Sequence, residues 1–221
     1  MRHWIFDLDG TLVDSLPSYT RVLTEVAMEF GVTLSIEDRE QVRHLILPKF
    51  LERVLKPDQI EPAFKKVIAI NLARQAEIPI FIGIDELLGF LHSSGCVLSV
   101  FTARERVTAQ GILKETGLHK YFSHVVTRDC VSKCKPHPDG IHHLLAESKI
   151  HPKEAVMIGD HSMDMESAKS AGINGISVSW DGGPSHAKGL SDYHFTKISE
   201  LRSWAAEQTL QSRPYQNPTK F

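Results

Sequence analysis

Short apolar runs alternate with helical patterns along most of this chain, and that alternation constrains its fold more than any other feature. The runs lie at 4–6, 97–101, 124–127, 155–158 and 175–179. Between them, Asp85 to Ser94 carries Leu87, Leu88 and Leu91 at helical spacing and stops at Gly95, a glycine placed as a helix C-cap. Arg104 to Thr116 stops at Gly117 in the same way. Pro138 opens a helix with Ile141, Leu144 and Leu145 on one face, and Ser162 stands where it can cap another that runs to Ala171 and Gly172. Strands alternating with helices in this manner predict an α/β fold, a Rossmann-like parallel sheet wound on both faces.

Residues 16 to about 80 break the alternation. Tyr19, Val22, Leu23, Val26, Ala27 and Phe30 mark a helix ended by Gly31; Val42 to Leu55 and Ile60 to Ala76 read as further helices, with Pro48 breaking the former into pieces. The apolar stripes of this all-helical insert read as packing surfaces rather than substrate contacts. The expected division is a core of residues 1–15 and 82–207, an insert of 16–81, and a flexible tail over 208–221, where the pattern fades into Arg213-Pro214-Tyr215-Gln216-Asn217-Pro218.

In open parallel sheets, ligands bind in the crevice outside the carboxyl ends of the strands. Asp7, Thr102 and Asp160 each fall about one residue past such an end, so three segments remote in sequence are expected to converge on one edge. The first segment is Phe6-Asp7-Leu8-Asp9-Gly10-Thr11-Leu12-Val13-Asp14-Ser15, with carboxylates at i and i+2 and a glycine turn straight after. Such carboxylates project from one side of an extended segment, and their repulsion must be offset by a bound cation or a shared proton. A phosphate-handling metal site is the first expectation.

That run resembles the opening motif of the haloacid dehalogenase superfamily, and three later segments match the family in order. Val97-Leu98-Ser99-Val100-Phe101 ends in Thr102-Ala103-Arg104; Lys135 directly precedes Pro136 in Lys133-Cys134-Lys135-Pro136-His137-Pro138; and Ala155-Val156-Met157-Ile158-Gly159 runs into Asp160-His161-Ser162-Met163-Asp164. The resemblance is to the phosphoglycolate-phosphatase-like branch, and it implies that the insert is a helical cap. It further implies that Asp7 is a nucleophile attacking phosphorus. Asp9 is then the general acid toward the leaving oxygen and the base toward water, its carboxyl kept partly protonated by burial or a neighbouring carboxylate. By resemblance the Asp9 backbone carbonyl, rather than its side chain, reaches the metal. Asp7 and Asp160 would hold a divalent ion, read as Mg2+ because every donor is oxygen. Asp164 is a further ligand, direct or through water, or an acceptor fixing Lys135. Gly10, Thr102, the amides around Ala103, and Lys135 would hold the non-reacting phosphate oxygens.

The departures from the family pattern matter too. Ala103 and Arg104 stand where many relatives have Asn and Lys; Arg104 either touches the substrate or is a solvated residue at a helix start. His161, where relatives often carry Ser, reads as loop packing. In the insert, Leu47, Pro48 and Lys49 replace the small residues of a substrate-facing loop, and Arg43 and Lys49 are cations that could meet a substrate carboxylate or second phosphate. The reading is magnesium-dependent hydrolysis of a small phosphomonoester through a phosphoaspartyl intermediate. Its rivals are a phosphomutase of the beta-phosphoglucomutase type and a non-catalytic binding protein on the same fold. Asp9 argues against dehalogenation and phosphonate hydrolysis, and Thr11 after Gly10 favours a phosphatase over a mutase.

A net charge of −2, with no basic block, offers no electrostatic case for nucleic acid or an anionic membrane as partner. Small-molecule chemistry, in a monomer or weak dimer, is the expectation. The odd cysteine count, Cys96, Cys130 and Cys134, lacks zinc-site spacing and reads as reduced thiols in a cytoplasmic protein. Met1-Arg2-His3-Trp4 leads straight into a strand, with no room for a signal peptide, and no apolar run approaches the roughly 18 residues of a membrane span. The scattered histidines, His142-His143 included, read as surface residues.

Overall fold

The computed structural model describes residues 1–42, 45–180 and 187–211. Six parallel strands form one sheet among them: β1 His3–Phe6, β2 Val97–Phe101, β3 His124–Val126, β4 Ala155–Gly159, β5 Asn174–Val178 and β6 Tyr193–Phe195. Their order is β3-β2-β1-β4-β5-β6. The chain leaves the central β1 toward one edge and later returns through β4 toward the other, so the order reverses between β1 and β4. That reversal opens a crevice at their carboxyl ends.

The strands are buried on both faces, which is why their sequences read as continuous apolar runs. Trp4 and Phe6 point to one face, where Leu98, Val100, Val156 and Ile158 join them under α5 (Ile84–Ser93), α6 (Arg106–Glu115) and α9 (Ile198–Gln211). Ile5, Phe101 and Met157 point to the other, under α7 (Asp139–Ser148) and α8 (Ser162–Ala171). The doubly wound α/β fold is as expected. His3 is the polar exception: wholly buried, its ring pairs with Ser99 Oγ at 2.8 Å and Ser148 Oγ at 3.0 Å, tying β1 to β2 and to the end of α7.

The insert builds α1 (Leu16–Glu29), α2 (Ile36–Gln41), α3 (Leu47–Val54) and α4 (Pro57–Ala73). Of these, α1, α3 and α4 share a separate apolar cluster of Val22, Leu23, Val26, Phe50, Leu51, Ala63 and Val67. Several local expectations are corrected. Pro48 sits in the first turn of α3, where a missing N–H costs nothing, so it starts that helix rather than breaking one. The short α2 is an addition, closed by a reciprocal capping box between Ser35 and Asp38. α8 is capped by His161, not Ser162: its Nδ1 accepts from the Met163 N–H at 3.2 Å. α9 continues to Gln211, past the point where a tail was expected, because Leu201 and Ala205 bury its inner face; residues 212–221 lie outside the described residues. No described helix is long and apolar enough to cross a membrane.

Candidate active site

β1 ends at Phe6, and the Asp7 N–H donates to the Ile158 carbonyl of β4 at 2.8 Å, so Asp7 is delivered to the crevice by ladder geometry alone. The chain then turns: Leu12 N–H donates to the Leu8 carbonyl at 2.9 Å and Gly10 N–H to the Val13 carbonyl at 2.9 Å. Gly10 has φ +73°, and a Cβ there would run into the Asp160 carboxylate. Only glycine satisfies both constraints.

Lys135 joins the sequence motifs. Its Nζ lies 2.7 Å from Asp7 Oδ1 and 2.7 Å from Asp164 Oδ1, with its side chain 3% exposed. Asp164 is wholly buried, and its other oxygen accepts the His161 N–H at 3.1 Å. Burial alone would lower the Lys135 ammonium; Asp164 and Asp7 overcome it, and the group stays protonated. Burial likewise raises Asp7 well above its ordinary value, against the pull of Lys135 and with Asp164 and Asp160 adding to the rise. Asp160 is pushed up to about 7 by burial and then by the charge of Asp164. Carboxylates strained in this way are stabilised by a cation.

Asp7, Asp160 and Asp164 can bring carboxylate oxygens within 4.8 Å of one another. They open into a cavity of about 440 Å³ between the strand ends and the insert. Its described lining carries six carboxylates against the three fixed cations Arg104, Arg128 and Lys135. A doubly charged phosphate entering such a site needs further positive charge, and the all-oxygen donor set fits a hard divalent ion. Thr102, fully buried, and Ala103 line the same cavity, and Thr102 Oγ1 accepts the Arg104 N–H at 3.2 Å.

Asp9 is where the structure departs most from expectation. Arg104 grips it with two parallel bonds, Nε to Oδ2 and Nη2 to Oδ1, both 2.6 Å, and the Ser15 hydroxyl donates to the same carboxylate. Burial works to raise Asp9, but Arg104 and Ser15 outweigh it and hold the carboxyl below its ordinary value. The expected upward shift is therefore corrected: the neighbour that decides is a guanidinium, not a carboxylate. Arg104 is correspondingly no solvated helix-start residue. Its side chain is 13% exposed, and its guanidinium lies 5.8 Å from the Tyr19 ring centroid on α1.

Two insert residues fare differently. Lys49 does not line the cavity; its side chain is 63% exposed and pairs with Glu52 at 2.7 Å. Arg43 lies outside the described residues. Sequence reasoning missed Tyr19 and Asn71, which line the cavity from α1 and α4. For Asn71 a signal existed, an amide following the apolar Val67, Ile68 and Ile70 of one helix. His161 lines the cavity too, beyond loop packing.

A parallel sheet with Asp7, Asp160, Asp164 and Lys135 gathered at its carboxyl edge defines an α/β protein with a buried acidic site able to hold a cation. The model of the haloacid dehalogenase-like hydrolases matches residues 4–178. The chain is 33% identical over 192 residues to the "Probable phosphatase IndB" of Dickeya dadantii, covering 80% of each chain. It is 30% identical to Pyrophosphatase PpaX of Listeria welshimeri (89% and 93% covered) and 28% identical to the phosphoglycolate phosphatase of Nitrosococcus oceani (85% and 87% covered). Among solved structures, a haloacid dehalogenase-like family hydrolase from Streptococcus pneumoniae superposes with a TM-score of 0.82 at 28% identity, covering 93% of this chain and 98% of that one. The chain belongs to the haloacid dehalogenase-like hydrolases.

Proposed function

We propose that this protein hydrolyses a small phosphomonoester in two steps through a phosphoaspartate on Asp7, with magnesium as its cofactor and the helical insert as a cap. The observation that carries the reading is the Lys135 ammonium held 2.7 Å from both Asp7 and Asp164 at the carboxyl end of the central strand. In the first step a carboxylate oxygen of Asp7 bonds to phosphorus as the bond to the leaving oxygen breaks, and Asp9 supplies the proton that oxygen needs. In the second, water attacks phosphorus, gives its proton to Asp9, and releases Asp7 and phosphate. Thr102 Oγ1 and Lys135 Nζ bind the non-reacting oxygens and stabilise their charge.

Asp7 and Asp160 would hold the ion, which supplies the positive charge that the acidic lining lacks. Asp164 already spends one oxygen on Lys135 and the other on the His161 amide, so it acts as the positioning residue for Lys135. Asp9 as found, ionised between Arg104 and Ser15, is set for the water-activating step. Acting as an acid requires Arg104 to loosen its hold. The test is a magnesium-containing panel of small phosphomonoesters, pyrophosphate and sugar phosphates, with Asp7→Asn as the blank. Turnover that stops in Asp7→Asn and in excess chelator, and returns with magnesium, is the expected result; full activity in the variant or in chelator overturns it.

A further inference from the structure

The cavity has two chemically different walls. Every described ionisable side chain with a charge at neutral pH that lines it comes from the core or from the segment before α1: Asp7, Asp9, Arg104, Lys135, Asp160 and Asp164 are the main ones. The described lining from the insert carries no charge at all. It is apolar, Leu16, Leu45, Ile46 and Ile68 among it, interrupted only by Tyr19 and Asn71.

The cations of the core wall are all engaged. Lys135 bridges Asp7 and Asp164, Arg104 is bidentate on Asp9, and Arg128 lies 3.6 Å from Glu105. Among the described lining residues of the insert there is no cation to receive a second anionic group on a substrate. Asn71 presents the opposite feature. It is 6% exposed, stands one turn from the buried Val67 on α4, and faces the cavity, yet its amide has no hydrogen-bond partner among the described residues. An amide set in an otherwise apolar wall and open to the cavity is placed to meet a polar group of whatever the cavity holds. Burial holds the Tyr19 phenol well above its ordinary value, so it too remains a neutral donor.

From this division we infer that Asn71 is a specificity-determining residue, hydrogen-bonding an uncharged polar group on the alcohol half of the substrate. The inference rests on the phosphatase reading and deepens it. The phosphoryl group goes to the charged core wall, and the alcohol goes to the neutral insert wall. The preferred substrates are phosphate esters of neutral, largely apolar alcohols that carry one hydroxyl or carbonyl. Pyrophosphate and carboxylate-bearing esters would press a second anion against a wall whose described side chains carry no counter-charge, and they are disfavoured.

The experiment uses the full chain with magnesium and four matched substrates: a hydroxyalkyl phosphate, the alkyl phosphate of equal length, the corresponding carboxyalkyl phosphate, and pyrophosphate. The wild type is expected to prefer the hydroxyalkyl ester over the alkyl ester by roughly tenfold in kcat/KM, about what one neutral hydrogen bond provides. It should turn over the carboxyalkyl ester and pyrophosphate more slowly than either. In Asn71→Leu, which keeps the volume and removes the amide, that hydroxyalkyl-to-alkyl ratio should fall toward one, chiefly through a higher KM for the hydroxyalkyl ester. A wild type that favours the anionic substrates overturns the inference, as does an unchanged ratio in Asn71→Leu. The wild-type panel decides the first point even if the variant folds poorly. Nitrophenyl phosphate separates the two levels of failure: if the wild type hydrolyses it but shows none of these preferences, only the assignment of Asn71 falls. If the wild type hydrolyses none of the esters, the phosphatase reading falls with it.

Discussion

The pairing of Arg104 with Asp9 puts a planar fork on a carboxylate that the proposed chemistry uses in two protonation states. Bidentate geometry at 2.6 Å on both arms fixes the direction of Asp9 as well as its charge. Replacing Asp9 by Asn should slow water attack on the phosphoaspartate more than its formation from a good leaving group such as nitrophenolate. Rapid-quench measurement of the phosphorylated intermediate checks this; equal loss of both steps with every leaving group contradicts the assigned role. Lys135 has a different dependence. In Lys135→Met, Asp7 and Asp164 lose their shared counter-charge while buried, and stability in chelator should drop by about 3–5 kcal/mol, read by denaturant unfolding. The acidic residues and Lys135 were legible in the sequence because each follows a recognisable strand end or precedes a proline. The Arg104 contact was not, since its partner is 95 positions away and only tertiary geometry brings the two side chains together.

At the scale of elements, β1 shows how packing and ionisation combine. Burial, and then the neighbouring charge of His124, lower the His3 imidazole from its ordinary 6.5 to about 4. A group depressed in the fold contributes stability that is fully present above pH 6.5 and lost as pH falls toward 4, here about 3 kcal/mol. Unfolding measured across that window should show the loss in the wild type and a flatter profile in His3→Asn. β4 makes a steric prediction. A Cβ at Gly159 would collide with the Asp164 carboxylate, so Gly159→Ala should cost about 1–3 kcal/mol and displace the acceptor that orients Lys135, lowering turnover. Elements with uniform apolar character were legible. The missed ones lack it: β6 is an edge strand of Tyr193, His194 and Phe195, and α2 buries no side chain and is held by its capping box. Pro48 was misread because proline signals both a break and a start, and only the extended Ile46 before α3 decides between them.

On the scale of the molecule, the insert has its own apolar cluster, and the core is packed on both faces of the sheet by two others. Between these parts lies a cavity of about 440 Å³, a volume suited to a small molecule. Phosphoproteins should accordingly release no phosphate under conditions where small esters are consumed, a comparison made by phosphate assay on matched concentrations.

The place of β1 in the sheet also bears on how the chain assembles. The first strand of the sequence occupies a central position, and its two neighbours begin at Val97 and Ala155. Helices α1 to α4 meet through nearby residues and are free to associate early, whereas β1 must wait until residue 159 has left the ribosome before both its edges are covered. The Asp7 carboxylate is thus among the last groups to reach its surroundings during synthesis, and a nascent chain that stalls before β4 carries an exposed apolar ribbon in place of an enzyme.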